Sequence, residues 1–177
     1  MKSRKIVITG GPGTGKSSIV HRLEEKGENC LHEISRQVTL EAQKEGIAQL
    51  FLERPLLFSE KLLEGRLKQY IEADKMTGDH IFIDRGLPDV LAYMDYFKTP
   101  YPDLFDKICK DHPYDKIFIL PPWKEIYKSD NERYESFEEA LKISDYLYST
   151  YRNYGYEPLE VPKLSVEERT RFILNNI

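Results

Sequence analysis

The chain has 177 residues, of which 40% are hydrophobic, and its formal net charge is −4. This length fits one domain, and the small acidic excess argues against nucleic acid as the main partner, since nucleic-acid-binding domains usually carry a basic excess. Two cysteines predict no disulfide framework, and no apolar stretch approaches the ~20 residues of a membrane span. We therefore expect one cytoplasmic domain over residues 1–177, with no membrane span and no nucleic-acid partner.

Short apolar runs alternate with amphipathic stretches along the whole chain. In chain order, the predicted elements are a strand at 6–9, a helix at 16–26, a strand at 30–32, helices near 38–46 and 63–75, a strand at 81–83, a helix at 88–96, a strand at 117–120, a helix at 136–155, a strand at 156–161 and a last helix from 165. The last two helices begin with Ser-x-x-Glu capping boxes, and Pro158 favours an edge position for the fifth strand.

Strands without polar alternation, each followed by helical sequence, are typical of parallel strands covered on both faces. We therefore predict an α/β fold, a three-layer sandwich around one open parallel sheet of five strands.

The stretch IVITGGPGTGKSS contains the pattern G-x-x-x-x-G-K-[ST], known as Walker A, between a predicted strand and a predicted helix. Glycines let backbone N–H groups wrap a phosphate, and the helix that follows points its positive end at the same place. Lys16 is suited to reach the β- and γ-phosphates, and Ser17 to bind Mg²⁺. We expect ATP, with GTP possible, to bind at the following residues: Gly11, Pro12, Gly13, Thr14, Gly15, Lys16, Ser17 and Ser18.

Charged residues follow two other predicted strands, where the ligand crevice of an open parallel sheet lies. Asp84 is suited to hold Mg²⁺ or a metal-bound water, although a strand-end turn would also explain it. Glu33 is a candidate base or hydroxyl acceptor for a substrate, and the alternative is an ion pair with Arg36. Arg85 is a candidate for neutralising phosphate or substrate charge, or for pairing with Glu33 or Asp89.

The polar segment between the fourth strand and the helix at 136 has the length and composition of a mobile lid, around residues 121–136. Arg133 lies just before that helix. An arginine carried by a lid stabilises charge on a phosphoryl group in transfer, so we predict a catalytic role for Arg133. A solvated loop arginine is the alternative.

These landmarks resemble the AAA-like ATPase/kinase family related to the ribosylnicotinamide kinase domain of a bifunctional NAD regulator. The similar segments cover nearly the whole chain: Gly10–Ser17, Glu33-x-x-Arg36, Asp84-Arg85-Gly86-x-Pro88-Asp89 with Tyr93, Arg133, and the tail from Ser165 to Leu174. The resemblance implies a nucleoside-monophosphate-kinase-like sheet in strand order 2-3-1-4-5, with Asp84 beside the Walker A strand and a lid that bears Arg133. It leaves the substrate open.

Two functions fit these residues. The first is a Mg²⁺-dependent kinase-like enzyme or ATPase, which transfers phosphate to a small nucleoside-like or other hydroxyl substrate. Its catalytic residues would be Lys16, Asp84, Arg133 and Glu33, and its substrate-side residues Glu33, Arg36, Arg85 and Asp89. The second is a nucleotide-dependent switch or adaptor with little or no phosphoryl transfer. The sequence predicts no acceptor identity and no oligomeric state.

Overall fold

The structure, a computed structural model, describes residues 3–127 and 135–177. In chain order, its elements are β1 (Arg4–Gly10), α1 (Lys16–Glu25), β2 (Asn29–Leu31), α2 (Ser35–Lys44), α3 (Leu50–Glu53), α4 (Pro55–Ala73), β3 (His80–Asp84), α5 (Leu87–Tyr96), α6 (Asp103–Asp111), β4 (Lys116–Leu120), α7 (Phe137–Asn153), β5 (Leu159–Glu160) and α8 (Val166–Asn175). None of these helices is long and apolar enough to cross a membrane.

The five strands form one parallel sheet in the order β2-β3-β1-β4-β5. This confirms both the predicted α/β class and the strand order that the family resemblance implies. β1 is central and pairs with β3 and β4, so that Ile8 lies beside Asp84 and Gly10 beside Leu120. The carboxyl ends of β1 and β3 therefore meet at one edge of the sheet, where the ligand crevice of such folds lies.

The core lies on both faces of the sheet because successive strand residues point to opposite sides. Val7 and Ile83 face a cluster with α4, α5 and Tyr151 of α7. Ile6 and Ile8 face the other way, towards α1 and α8. Both faces are covered, which explains why the strands are apolar without alternation.

The fifth strand is shorter than predicted, with Leu159–Glu160 in place of 156–161. Pro158 lacks an N–H group, so pairing with β4 begins only after it, and β5 lies at the edge of the sheet as that proline predicted. The sequence interpretation also missed α3 and α6. Helix α6 buries only Phe105 and Cys109, at a spacing of four residues, among many charged residues.

Both predicted capping boxes are confirmed. At the start of α7, the Glu139 N–H donates to the Ser136 hydroxyl oxygen at 3.2 Å, and the Glu139 carboxylate accepts from the Ser136 N–H at 2.7 Å. Ser165 and Glu168 make the same reciprocal pair at the start of α8. Each box satisfies N–H groups that have no partner inside the helix.

Candidate active site

The glycine-rich loop joins β1 to α1 and leaves its backbone open at the helix N-terminus. Gly13 has φ +70° and Gly15 has φ +84°, and L residues with a side chain rarely adopt such angles. No described side chain caps α1, so the first N–H groups of the helix are available for an anion. The local geometry is that of a phosphate cradle, as the motif predicts.

Contacts from distant segments hold this loop in shape. The Thr14 hydroxyl donates to the Gly11 carbonyl at 3.0 Å, and the Thr14 carbonyl accepts from Arg169 of α8 at 3.0 Å. The Arg169 guanidinium is buried and lies over the Trp123 ring, 5.5 Å from its centroid. A ring atom of Tyr127 lies 2.5 Å from where a Cβ on Gly13 would be, so no larger residue fits there.

Lys16 is the first residue of α1 and is half-buried beside the ends of β1 and β3. Burial lowers the pKa of Lys16 to about 8, and the charge of Arg85 also lowers it, while Asp84 opposes them. A lysine with a lowered pKa gains from an anionic ligand, because the anion favours the charged form. Ser17 and Ser18 follow in the first turn, with exposed side chains.

Asp84 ends β3 and is 4% exposed. Burial raises the pKa of its carboxyl, although Lys16 and Arg85 pull the pKa down. Its Oδ1 atom is buried and makes no hydrogen bond with any residue that the structure describes. A buried carboxylate oxygen without a partner is costly, so its presence indicates a ligand that this site is built to take.

A divalent cation fits this donor set. Asp84 Oδ1 supplies a hard oxygen, and Ser17, which belongs to the phosphate cradle, lines the same cavity. Mg²⁺ usually takes one or two protein ligands and completes its shell with phosphate oxygens and water. Among residues 3–127 and 135–177, no group of three His, Cys, Asp or Glu side chains could hold a metal by itself. Asp84 and Ser17 would therefore hold Mg²⁺ together with a nucleotide.

Glu33 follows β2 and is tightly held. Its two carboxylate oxygens accept from the Ser35 N–H, each at 3.0 Å, and Oε1 also accepts from the Ser35 hydroxyl and from Arg66 at 3.3 Å. Burial raises the pKa of Glu33, but the charges of Arg66 and Arg85 and the Ser35 hydrogen bonds outweigh it and lower the pKa to about 2. Of the two roles predicted for Glu33, this favours a hydroxyl acceptor over a strong base.

The ion-pair alternatives from the sequence are resolved by these contacts. Glu33 pairs with Arg66 at 3.3 Å, and Arg36, with an exposed side chain in α2, is not among the described residues that line the cavity introduced below. Arg85 pairs with Asp89 at 3.2 Å and packs over the Tyr93 ring, 5.3 Å from its centroid. Substrate contact by Arg36 stays a prediction that its position does not favour.

Arg85 adopts φ +70°, which is rare for a residue with a side chain. Its N–H continues the pairing with β1 by donating to the Ile8 carbonyl at 3.0 Å. Strained backbone of this kind concentrates at functional sites, where it aims a side chain. The turn directs the Arg85 guanidinium to the cavity that Lys16 and Asp84 also line.

Asp89 is fully buried in the first turn of α5. Its carboxylate accepts hydrogen bonds from the Thr9 hydroxyl, the Gly86 N–H, the Tyr151 hydroxyl and Arg85. With both oxygens engaged inside the protein, the geometry favours a positioning role for Asp89, which holds the turn and Arg85, over the substrate contact expected from the sequence.

One cavity of about 640 Å³ connects these groups. At one end lie Pro12, Gly13, Lys16 and Ser17 of the loop, then Asp84, Glu33 and Arg85. The other end is an apolar surface that we call the acceptor wall. It is formed by residues of α3, α4 and α5 and the residue after α5: Phe51, Phe58, Leu62, Val90, Tyr93, Met94 and Phe97.

The sequence interpretation missed Arg66 and the acceptor wall. Arg66 is 4% exposed, donates to Glu33 and to the Gly86 carbonyl at 3.2 Å, and has a buried Nε with no described partner. The sequence does contain a sign that Arg66 is buried, because it lies on the same helical face as the apolar residues Leu62, Leu63 and Tyr70. Arg133 and the part of the predicted lid at residues 128–134 lie outside the described residues.

Comparisons with known proteins agree with this geometry. A family model described as "AAA domain" matches residues 5–169. A search of curated proteins finds no match. Among solved structures, deoxyadenosine kinase from M. mycoides, with the products dCMP and a flexible dCDP bound, has a TM-score of 0.70 at 17% identity, and the alignment covers 97% of each chain.

Two further solved structures share the fold. NadR protein in complex with NR has a TM-score of 0.75 at 17% identity, and the alignment covers 98% of this chain but 49% of NadR. Thymidylate kinase from Ehrlichia chaffeensis has a TM-score of 0.68 at 15% identity, with 99% of each chain covered. The family match over 5–169 and this shared fold confirm the resemblance inferred from the motifs, and the chain belongs to the AAA-domain family, with an AAA-like P-loop kinase fold.

Proposed function

We propose that this protein is a Mg²⁺-dependent phosphotransferase that moves the γ-phosphoryl group of ATP to a hydroxyl of a small, nucleoside-like acceptor. The observation that carries the proposal is the single cavity that joins the phosphate cradle and Asp84 to Glu33 and the acceptor wall. An apolar compartment that adjoins the phosphate cradle and a held carboxylate is what a hydroxyl-bearing acceptor would need.

The residues of the cavity would act mainly by position and charge, as this chemistry requires. The loop N–H groups and Lys16 would bind the β- and γ-phosphates. Glu33 would accept a hydrogen bond from the acceptor hydroxyl and align its oxygen with the phosphorus. Bound Mg²⁺ would neutralise charge on the phosphates, held by Asp84 and Ser17. Arg133, if the lid brings it in, would add a cation at the transferring group.

The similar structures support this proposal at the level of the fold. They include one enzyme named for a nucleoside, deoxyadenosine, and one named for a nucleotide, thymidylate. The shared fold is therefore compatible with a neutral acceptor, such as a nucleoside, and with an anionic acceptor, such as a nucleotide. Which of the two this protein would take depends on its own residues.

The test is a screen with ATP labelled on the γ-phosphate and purified protein, with nucleosides, nucleotides and simple alcohols as acceptors. We expect a labelled product that requires Mg²⁺. Lys16→Ala should abolish it, whereas the matched control Lys44→Ala, an exposed lysine of α2 outside the cavity, should leave it unchanged. Binding or hydrolysis of ATP or GTP with no labelled product across the screen would contradict the proposal and support a nucleotide-dependent switch.

A further inference from the structure

Arg169 of α8 is a buried cation whose charge no described neighbour balances. It is 5% exposed, and burial lowers the pKa of its guanidinium. Among the residues that the structure describes, it meets no carboxylate, and its Nε atom is buried without a hydrogen-bond partner. Arg66, the other buried arginine of the described chain, is by contrast paired with Glu33. An unbalanced buried charge is costly, so its presence indicates an anion that this part of the fold is built to meet.

Arg169 packs directly against the glycine-rich loop. The two terminal nitrogens of its guanidinium lie 3.1 and 3.2 Å from the place where a Cβ on Gly15 would be. One of them, Nη1, donates a hydrogen bond to the Thr14 carbonyl at 3.0 Å. Arg169 is not among the described residues that line the cavity. Its charge therefore lies behind the loop, and the phosphate cradle lies in front of it.

The hydrogen bond to Thr14 connects this charge to a donor of the cradle. The peptide bond between Thr14 and Gly15 is trans, so its C=O and N–H groups point in opposite directions. The Gly15 N–H therefore points away from Arg169, and it has no hydrogen-bond partner among the described residues. A cation on the carbonyl oxygen polarises the whole peptide group, which makes its N–H a stronger donor to an anion.

We infer that Arg169 is a positioning residue of the phosphate cradle and that the phosphates of the bound nucleotide balance its buried charge. It acts through the peptide between Thr14 and Gly15, which it orients and polarises. The inference rests on the proposed function for its ligand, a nucleoside triphosphate at the loop. The transfer step and the acceptor play no part in it, so measurements of binding alone test it.

Two substitutions separate the charge of Arg169 from its hydrogen bond. Arg169→Gln keeps a neutral N–H donor and removes the charge, whereas Arg169→Lys keeps the charge. Calorimetry with Mg²⁺ and a non-hydrolysable ATP analogue measures affinity without any acceptor. We expect affinity to fall about thirtyfold in Arg169→Gln and about threefold or less in Arg169→Lys. Equal losses in the two variants would overturn the role of the charge.

Inorganic tripolyphosphate tests whether the effect reaches the phosphates. Arg169 also lies over the Trp123 ring, 5.5 Å from its centroid, so a loss of ATP affinity by itself does not distinguish an effect on the phosphates from one on the base. Tripolyphosphate has neither base nor sugar, and we expect Arg169→Gln to lower its affinity by the same factor. An unchanged affinity for tripolyphosphate would overturn the inference.

Thermal unfolding without ligand separates binding from folding. We expect Arg169→Gln to unfold within about 4 °C of the parent, because the substitution removes a buried charge that no described carboxylate balances. A larger loss of stability would show a structural role and overturn the inference. Arg171→Gln removes an exposed arginine from the same helix and is the matched control, which should change neither affinity nor stability.

The outcomes for this inference and for the proposed function are distinct. Binding of the ATP analogue that depends on the charge of Arg169, with no labelled product in the acceptor screen, would support the inference and contradict the phosphotransferase proposal. Labelled product from the parent, with equal analogue affinity in the parent and Arg169→Gln, would do the reverse. No binding of the analogue or of tripolyphosphate by the parent would overturn both.

Discussion

The phosphate cradle and the acceptor wall border one cavity but are built in opposite ways. The cradle is a continuous stretch, residues 11–18, whose binding groups are backbone N–H groups at the start of a helix. The acceptor wall is assembled from side chains between Phe51 and Phe97, on three helices and the residue that follows α5. Under the proposed function, the first region would bind through a backbone conformation that a motif specifies, and the second would bind through the shape of side chains that packing brings together.

This difference indicates which region would determine the specificity for the acceptor. A backbone cradle binds any triphosphate tail, because its donors are backbone N–H groups, which are the same for every residue except proline. Side chains on the wall can differ in size and charge, so under the proposed function they would decide which acceptor is taken. Substitutions at the cradle should therefore affect all substrates alike, and substitutions at the wall should change the choice of acceptor.

Lys16→Ala should have the largest effect, since it removes charge from both the bound phosphates and the transition state. We expect kcat/KM to fall by about ten-thousandfold for every acceptor, with ATP affinity reduced as well. Steady-state kinetics and calorimetry measure the two effects. Unchanged ATP binding would break the assignment of residues 11–18 as the cradle.

Arg133→Ala tests the lid role predicted from the sequence. We expect turnover to fall by about a thousandfold with little change in ATP affinity, because a lid arginine acts on the charge of the transferring group. A phosphate-release or product assay gives the first value and calorimetry the second. Equal turnover in the variant and the parent would remove Arg133 from the site.

Asp84→Asn should reduce turnover by about a hundredfold and weaken the dependence on Mg²⁺, because a carboxylate ligand becomes neutral. Folding should be retained or slightly improved, since the charge is buried and Oδ1 has no described partner. A Mg²⁺ titration of activity and a thermal melt separate these effects. An unaltered Mg²⁺ titration would contradict the metal role.

The smallest expected effect concerns Glu33 and stability at low pH. The folded-state pKa of Glu33, about 2, is lower than the ordinary value of 4.5. Its ionised form therefore stabilises the fold above pH 4.5, and this contribution disappears as the pH falls towards 2. We expect it to be worth about 3 kcal/mol at neutral pH.

Glu33→Gln is the reference for that measurement because it has no titrating carboxyl at this position. The difference in unfolding free energy between the parent and Glu33→Gln, from denaturant titrations, should shrink between pH 4.5 and 2. A difference that stays constant across this window would show that Arg66 and Ser35 do not hold the carboxylate in its charged form.

Much of the fold was predictable because its signals are local. The five apolar strand segments, the loop before Lys16 and the capping boxes at Ser136 and Ser165 each lie within a few consecutive residues. The misses have local causes too. Pro158 shortens β5 because it cannot donate a hydrogen bond, and α6 has too few buried residues for its periodicity to stand out among charges.

The side-chain partners were less predictable because they depend on contacts between distant residues. Glu33 and Arg66 are 33 positions apart, and Thr14 and Arg169 are 155 positions apart. The sequence offered the nearby Arg36 as one possible partner of Glu33, whereas the fold brings Arg66 of α4 to it. An ion pair chosen by proximity in sequence fails when a long helix supplies a buried partner.

The amino-acid sequence by itself determined the phosphate cradle, the alternation of strands and helices and the acidic residue at the end of the third strand, because each depends on backbone conformation and hydrophobic pattern over short distances. Only the tertiary structure decided which carboxylates are already neutralised by arginines and which side chains form the acceptor wall. Charge balance and shape inside a cavity are properties of groups brought together by folding, and no single segment of the chain contains them.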